Sequence, residues 1–207
     1  MQCFKNVLAE EGINLSKEDY YATYIGMDDR TCFRTVLERE KRATSPTTVE
    51  QLVARKGKYY QQAIAQDLVV LPGAKEFVQQ ASERYFLGIV SGALRSEIEH
   101  ILATIGLQSY FLVVIAAEDV RSGKPHPEGY LKGLDRLNQK LKDLRLLGEQ
   151  PLLAKECLAI EDAPPGIEAA HAAGMKCLAV TSSFSKEDLH TADYCVETLS
   201  PRWEIPG

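Results

Sequence analysis

The chain lacks any long hydrophobic run. Its longest unbroken apolar stretch away from the ends covers residues 111–117, far short of the ~20 residues a membrane-spanning helix needs. The N-terminus carries Glu10 and Glu11 where a secretory leader would have its apolar segment, so no leader is expected. Metal-ligand spacing is missing among the cysteines. Cys3, Cys32, Cys157, Cys177 and Cys195 are scattered and odd in number, which points away from a zinc site. Cys157, Cys177 and Cys195 fall in apolar, strand-like runs and read as small buried hydrophobes, with a reducing cytoplasm as the expected compartment. No block of like charge occurs either. The 24 basic and 29 acidic residues are interspersed, for a net charge of −5, and this argues against a general binder of nucleic acid or of anionic membranes. A local basic pocket for one small phosphate stays open. There is no internal repeat and no low-complexity tract.

What is present is ordinary for a globular protein: 207 residues, 45% apolar and 26% charged, enough for one good core plus a small second domain. Up to residue 66 the pattern is helical throughout. Phe4, Val7 and Leu8 make an apolar stripe before Gly12. Ser16 offers an N-cap to the segment after it. Phe33, Val36 and Leu37 form another helical face, and after Ser45-Pro46 either Thr47 or Thr48 can cap a helix carrying Val49, Leu52, Val53, Tyr59, Tyr60 and Ile64. From about Asp67 strand-like and helical runs alternate. Strands are expected near residues 86–90, 111–117, 158–160 and 177–181, with a final edge strand at 194–196. Helices are expected near 95–105, 127–139, 166–173 and 186–190. Such alternation implies a parallel sheet with right-handed crossovers and flanking helices, and sheets of this kind bind ligands at the carboxyl ends of their strands.

Three groups of polar residues fall at those ends. Ser91-Gly92-Ala93 closes the 86–90 run just ahead of a helix. A hydroxyl and backbone N–H groups at a helix start suit an anion, although a plain helix cap would look the same. Gly123-Lys124-Pro125-His126-Pro127 follows the next strand, and its two prolines stiffen the turn around Lys124. A lysine held in that way can neutralise a carboxylate and a phosphate together; His126 reads as structural. The third group is Ile160-Glu161-Asp162-Ala163-Pro164-Pro165-Gly166. A buried strand that stops at two adjacent carboxylates brings like charges together, which a cation would relieve. Hard oxygen donors beside a phosphate point to magnesium.

The order serine, lysine, acidic pair, each at a strand end, resembles the haloacid dehalogenase superfamily of phosphohydrolases, in its β-phosphoglucomutase and phosphoglycolate phosphatase branch. The resemblance covers essentially the whole chain. It implies a Rossmann-like α/β core at residues 67–207, entered through Val69-Val70-Leu71-Pro72-Gly73-Ala74, and a small helical cap at 1–66. It implies Asp162 as a magnesium (Mg2+) ligand with Glu161 supporting it. Lys124 and Ser91, with the backbone at Gly92 and Ala93, would hold the phosphoryl group. Gly26-Met27-Asp28-Asp29-Arg30 matches a cap loop that closes over substrate, with Arg30 as a phosphate or carboxylate contact and Arg95 and Lys58 at the rim. The implied activity is a magnesium-dependent phosphatase acting on a small phosphorylated metabolite such as a sugar phosphate or phosphoglycolate. Three alternatives remain: a phosphomutase; a phosphonate hydrolase using Lys56 or Lys58 for a Schiff base; and, from another class, a non-catalytic protein that binds phosphate or metal without turnover.

The fourth motif of the resembled family is absent. That family attacks phosphorus with the first aspartate of an Asp-x-Asp-Gly ending its first strand, and the second aspartate serves as acid and base. No Asp-x-Asp occurs in these 207 residues. Asp119 follows a strand expected near the sheet edge, and Asp28 and Asp29 belong to the cap. The family's first strand lies between those ending at Ser91 and Glu161, so two parallel strands are expected to face a gap of roughly 10 Å, twice the usual spacing. Three explanations stand: a start placed too far downstream, a fragment, or a degenerate non-catalytic relative. The intact remaining motifs favour a shortened form of a working enzyme. Association is expected for the chain as written, and a monomer for a longer form.

Overall fold

The structure is a computed structural model and describes residues 1–24, 27–66, 68–146 and 150–199. Gly26 and Asp67, which the sequence reading used for the cap loop and the domain boundary, lie outside the described residues. Among the described residues up to 66 there is no strand. Helix α1 spans Gln2–Glu10, α2 is a single turn at Lys17–Asp19 that runs into a wider turn at Tyr20–Tyr24, α3 spans Asp29–Arg39 and α4 spans Pro46–Gln66. The expected cap of α2 forms: Ser16 Oγ accepts from the Asp19 amide at 2.9 Å. At α4 the cap is Ser45, whose Oγ accepts from Thr48 N at 3.2 Å. The sequence reading had given that role to Thr47 or Thr48. Ser45 wins because Pro46 occupies the first helical position, where its missing N–H costs nothing. The apolar stripes of α1, α3 and α4 meet in one cluster built on Phe4, Leu8, Phe33, Leu37 and Leu52, with the Phe4 and Phe33 rings 4.4 Å apart.

The remainder alternates as expected. After α5 (Ala74–Ser82) come β1 (Leu87–Val90), α6 (Arg95–Ile105), β2 (Phe111–Ile115), α7 (Glu128–Asp143), β3 (Leu158–Glu161), α8 (Pro164–Ala172), β4 (Lys176–Val180) and β5 (Tyr194–Val196). The helix expected near 186–190 is instead a run of turns. Ser185 and Asp188 bond to each other there and so compete with helix formation, while Leu189 anchors the segment in the core. Cys177 is fully buried, Cys157 and Cys195 are half-buried against the same cluster, and all five cysteines are free. Among the described residues no helix is long and apolar enough to cross a membrane.

All strand pairings are parallel, but the strands form two sheets. β1 pairs with β2, from Leu87 opposite Phe111 to Val90 opposite Ile115. β3, β4 and β5 make the other sheet, in register from Leu158 opposite Lys176 to Glu161 opposite Ala179. The free edges of β1 and β3 line a cavity of about 1050 Å³ together with Tyr130, Gly133 and Leu137 of α7. The gap expected from the sequence is therefore open; the sheet has not closed over it. Ile160, in the middle of β3, stays 39% exposed, which is unusual for a strand of a parallel sheet. Each sheet also packs its own apolar cluster, one around α8 and β4 and one around α6 and β2.

Two predictions follow from this packing. Unpaired strand edges template pairing with other chains, so the chain should associate with rising concentration, and Ile160→Lys should suppress that association with little change in melting temperature. Light scattering coupled to size exclusion checks this. The other concerns Asp119, in the turn after β2. It accepts from Ala116 N at 2.8 Å and from Arg136 at 3.0 Å, and it pairs with Arg95. Burial would raise its carboxyl, but the Ala116 amide and the two guanidiniums hold it below the usual carboxylate range. A lowered folded value contributes stability above the ordinary carboxylate pKa near 4, and that contribution is lost as pH falls through the folded value. Asp119→Asn should thus be less stable than wild type at pH 7 and lose less stability on acidification, as read by urea unfolding at both pH values.

Candidate active site

The site is built at the carboxyl ends of β1 and β3. β1 delivers Ser91, whose amide donates to Ile115 O at 2.9 Å and keeps the residue in line with the sheet. Ser91 Oγ accepts from the Ala93 amide at 3.1 Å, leaving the hydroxyl proton as the group to offer an anion. The Ala93 amide, an expected phosphate donor, is turned back onto Ser91 in this structure. α6 then starts under a buried acid: Glu97 is 1% exposed and accepts from Leu94 N at 3.1 Å.

Lys124 stands at the centre. Its ammonium donates to Val90 O at 3.2 Å and to Glu161 Oε1, joining the last residue of β1 to the last residue of β3. Tyr130, one of the first residues of α7, donates its hydroxyl to the same Glu161 oxygen. Burial, and then the Glu161 charge, push the Tyr130 hydroxyl far above its ordinary value, so it remains a donor across the working pH range. Glu161 is itself 8% exposed. Its other oxygen lies 2.1 Å from where a Cβ on Gly166 would sit, so only glycine fits at that point of α8. Pro164 opens α8, as prolines do at a helix start. Asp162 is half-buried beside this knot and accepts from Ser183 Oγ, in the turn after β4.

The donor set bears on magnesium. Such an ion is commonly held by one or two carboxylates, with water and substrate phosphate completing the shell. Asp162 presents a carboxylate of that kind, while Glu161 Oε1 is taken by Lys124 and Tyr130 and its other oxygen packs against Gly166. Asp162 fits one position of such a shell. Among the described residues no group of three or more His, Cys, Asp or Glu is placed to hold a metal ion without further help.

The outlying residues fall differently. Arg30 is engaged by Glu50, through Nε at 2.6 Å, and reaches Ala117 O at 3.5 Å. Arg95 points to the turn after β2, where it meets Asp119 and Val114 O. Lys58 is exposed on α4 and lines neither this site nor the large cavity. Lys56 pairs with Asp29 at 2.9 Å and with Glu97 at 3.3 Å. Burial works against its charge, but the two carboxylates hold its ammonium above the ordinary lysine range. A lysine so protonated is a poor Schiff-base nucleophile, which weakens the phosphonate-hydrolase alternative. His126 is structural, its Nδ1 accepting from Glu128 N at 3.2 Å.

Three contributors escaped the sequence reading. Ser183 had a usable signal, a hydroxyl run after a buried strand. Tyr130 had only its position after the lysine turn. Asp28 was assigned to the cap without a role, yet it lines a small cavity of about 50 Å³ with Ser91, Gly92, Gly123, Lys124 and Tyr130.

With this geometry in place the comparisons with known proteins are decisive for the family. The sequence profile of the haloacid dehalogenase-like hydrolases matches residues 1–180. The chain belongs to that family. Among its relatives is a validoxylamine A 7'-phosphate phosphatase from Streptomyces hygroscopicus subsp. limoneus, 32% identical over 162 residues, covering 77% of this chain and 70% of the relative. A phosphoglycolate phosphatase from Yersinia pestis is 27% identical over 86% of this chain and 72% of its own length. The chain spans about half (56%) of a 2-deoxyglucose-6-phosphate phosphatase from Saccharomyces cerevisiae, at 35% identity over 63% of this chain. The β-phosphoglucomutase structure from Clostridium difficile superposes with a TM-score of 0.80 at 22% identity, over 98% of this chain and 84% of that one. This likeness is one of fold, an α/β protein with parallel sheets and flanking helices.

The packing of Glu161 on Gly166 is directly testable. Gly166→Ala should force the carboxylate, already fixed by Lys124 and Tyr130, out of its seat, at a cost of about 1–3 kcal/mol. Denaturant unfolding reads this; an unchanged midpoint would mean that Glu161 rotates away freely.

Proposed function

We propose that this chain carries the phosphate-binding and metal-binding part of a magnesium-dependent phosphatase acting on a small phosphorylated metabolite, such as a sugar phosphate or phosphoglycolate. The observation that carries this reading is the convergence of Ser91, Lys124, Glu161 and Asp162 at adjoining strand ends, joined by Lys124. The relatives named above, whose names describe phosphatases of small phosphorylated compounds, support it.

In this reading Ser91 donates its hydroxyl to a phosphoryl oxygen, and the Gly92 backbone lets that oxygen approach closely. Lys124 turns its ammonium to the phosphoryl group as charge builds there, with Glu161 and Tyr130 holding it in place. Preorganised donors of this kind are the largest single contribution in many enzymes. Asp162, with Glu161 beside it, would hold the magnesium ion, which when bound neutralises phosphoryl oxygens. Helices α1–α4 act as a cap that limits water at the strand ends, with residues 1–66 as the cap and 67–207 as the core. Arg30 and Arg95 serve as ion-paired supports at the rim, and Lys58 has no part in the cradle.

Among these residues none is placed to attack phosphorus. The resembled family does so from a strand ending in Asp-x-Asp, and the slot between β1 and β3 opens beside Lys124. The test compares the 207-residue chain with a form extended ahead of Met1 by an apolar strand ending in Asp-x-Asp-Gly, using an aryl phosphate with and without magnesium. The short chain should show no turnover and the extended one magnesium-dependent turnover. In the extended form Lys124→Ala should cost about 100-fold or more, and Asp162→Asn should raise the magnesium requirement. Near-full activity of the Lys124 variant would defeat the assignment. Ligand binding without turnover in the extended form would favour the non-catalytic alternative.

A further inference from the structure

We infer that Asp28 sets the charge selectivity of this site. It disfavours substrates with a second anionic group near the phosphate and favours phosphate esters bearing hydroxyl or ammonium groups. The inference rests on the phosphoryl-binding reading of Ser91 and Lys124, and it adds a determinant on the helical side of the mouth.

Asp28 sits just ahead of α3 and leans over both loops of the cradle. A Cβ on Gly92 would lie 3.6 Å from the Asp28 Cβ, and a Cβ on Gly123 would lie 2.7 Å from Asp28 Oδ2. The glycine flanking Lys124 thus makes room for this carboxylate, and the glycine flanking Ser91 lies in van der Waals contact with its Cβ. Its oxygens accept only neutral donors among the bonds described, Thr31 N at 3.1 Å and Thr31 Oγ1 at 2.7 Å. The cations nearby are committed elsewhere. Arg30 is held by Glu50, Lys56 by Asp29 and Glu97, Lys124 by Glu161, and Arg95 by Asp119. Among the described residues no lysine or arginine lies within ion-pair distance of Asp28; Arg30 feels its charge only from a distance while held by Glu50, and Lys124, which lines the same small cavity, is paired with Glu161.

A phosphate ester seated on Ser91 and Lys124 extends its alcohol part outward through that mouth. Hydroxyls there can donate to Asp28 and an ammonium can pair with it. A carboxylate or second phosphate brings like charges within a few ångströms in a partly desolvated space, where repulsion is stronger than in water. Helix capping alone accounts for the Thr31 bonds, but not for the seating of Asp28 against two loop glycines. Asn and Ser cap about as well as Asp, so the charge can be removed while the cap is kept.

The experiment is calorimetric titration of the 207-residue chain with inorganic phosphate, glucose 6-phosphate and phosphoglycolate, repeated on Asp28→Asn and Asp28→Ser. Wild type should bind glucose 6-phosphate about tenfold more tightly than phosphoglycolate, and both variants should narrow the ratio to about threefold or less, mainly by tightening phosphoglycolate. Their melting temperatures should stay near wild type. An unchanged ratio in both variants, with phosphate still bound, would overturn the role of Asp28 alone. Failure of wild type to bind phosphate, or equal phosphate binding by Lys124→Ala, would overturn the underlying phosphoryl-site reading and the inference with it.

Discussion

The contact on which the rest of this molecule depends is the one between Lys124 and Glu161. Among the described residues the two sheets share no strand pairing, and the edges of β1 and β3 face each other across a wide cavity. Lys124 spans the carboxyl end of that cavity by holding Val90 O on one side and Glu161 on the other. A buried carboxylate is costly unless it is paired and fully hydrogen-bonded. Glu161 takes an ammonium and a tyrosine hydroxyl on one oxygen, which offsets much of that cost, and the arrangement constrains its surroundings. It fixes the place of Tyr130 in α7, requires glycine at the start of α8, and leaves Asp162 as the carboxylate facing outward.

The same knot brings the polar residues of the two strand ends together. A lysine neutralising a carboxylate is positioned to neutralise phosphate charge as well, and Ser91 stands next to it across the end of β1. The helical segment touches the same loops, with Asp28 against Gly92 and Gly123 and Lys56 tying α4 to Glu97 of α6. In the proposed reading this is a pocket with donors for an anion and a carboxylate for a hard cation, beside the slot between β1 and β3.

Much of this was legible in the sequence, because strand ends in a parallel α/β fold are marked by simple signals. A short apolar run followed by glycine or proline and a polar residue located Ser91, Lys124 and the acidic pair, and the edge strand at Tyr194–Val196 was placed to the residue. Even the split sheet could be anticipated from the resemblance. Most of the differences concern which partner a polar side chain chooses. The resemblance implies substrate contacts for Arg30 and Arg95, and in the structure they pair with Glu50 and Asp119, contacts distant in the chain. Tyr130 carried no local mark of its bond to Glu161, 31 residues away. The 186–190 segment reads as a helix by pattern, yet its Ser and Asp side chains bond locally and favour turns.

The most direct test is amide hydrogen exchange, read residue by residue by NMR, in β1 and β3. The account holds that each of these strands is paired on one side only and that Lys124 closes their ends. Along Leu87–Val90 and Leu158–Glu161, amides directed at β2 and β4 should be protected, and the alternate amides facing the slot should exchange rapidly. Uniform protection along both strands would mean that β1 and β3 pair after all, and would contradict the account.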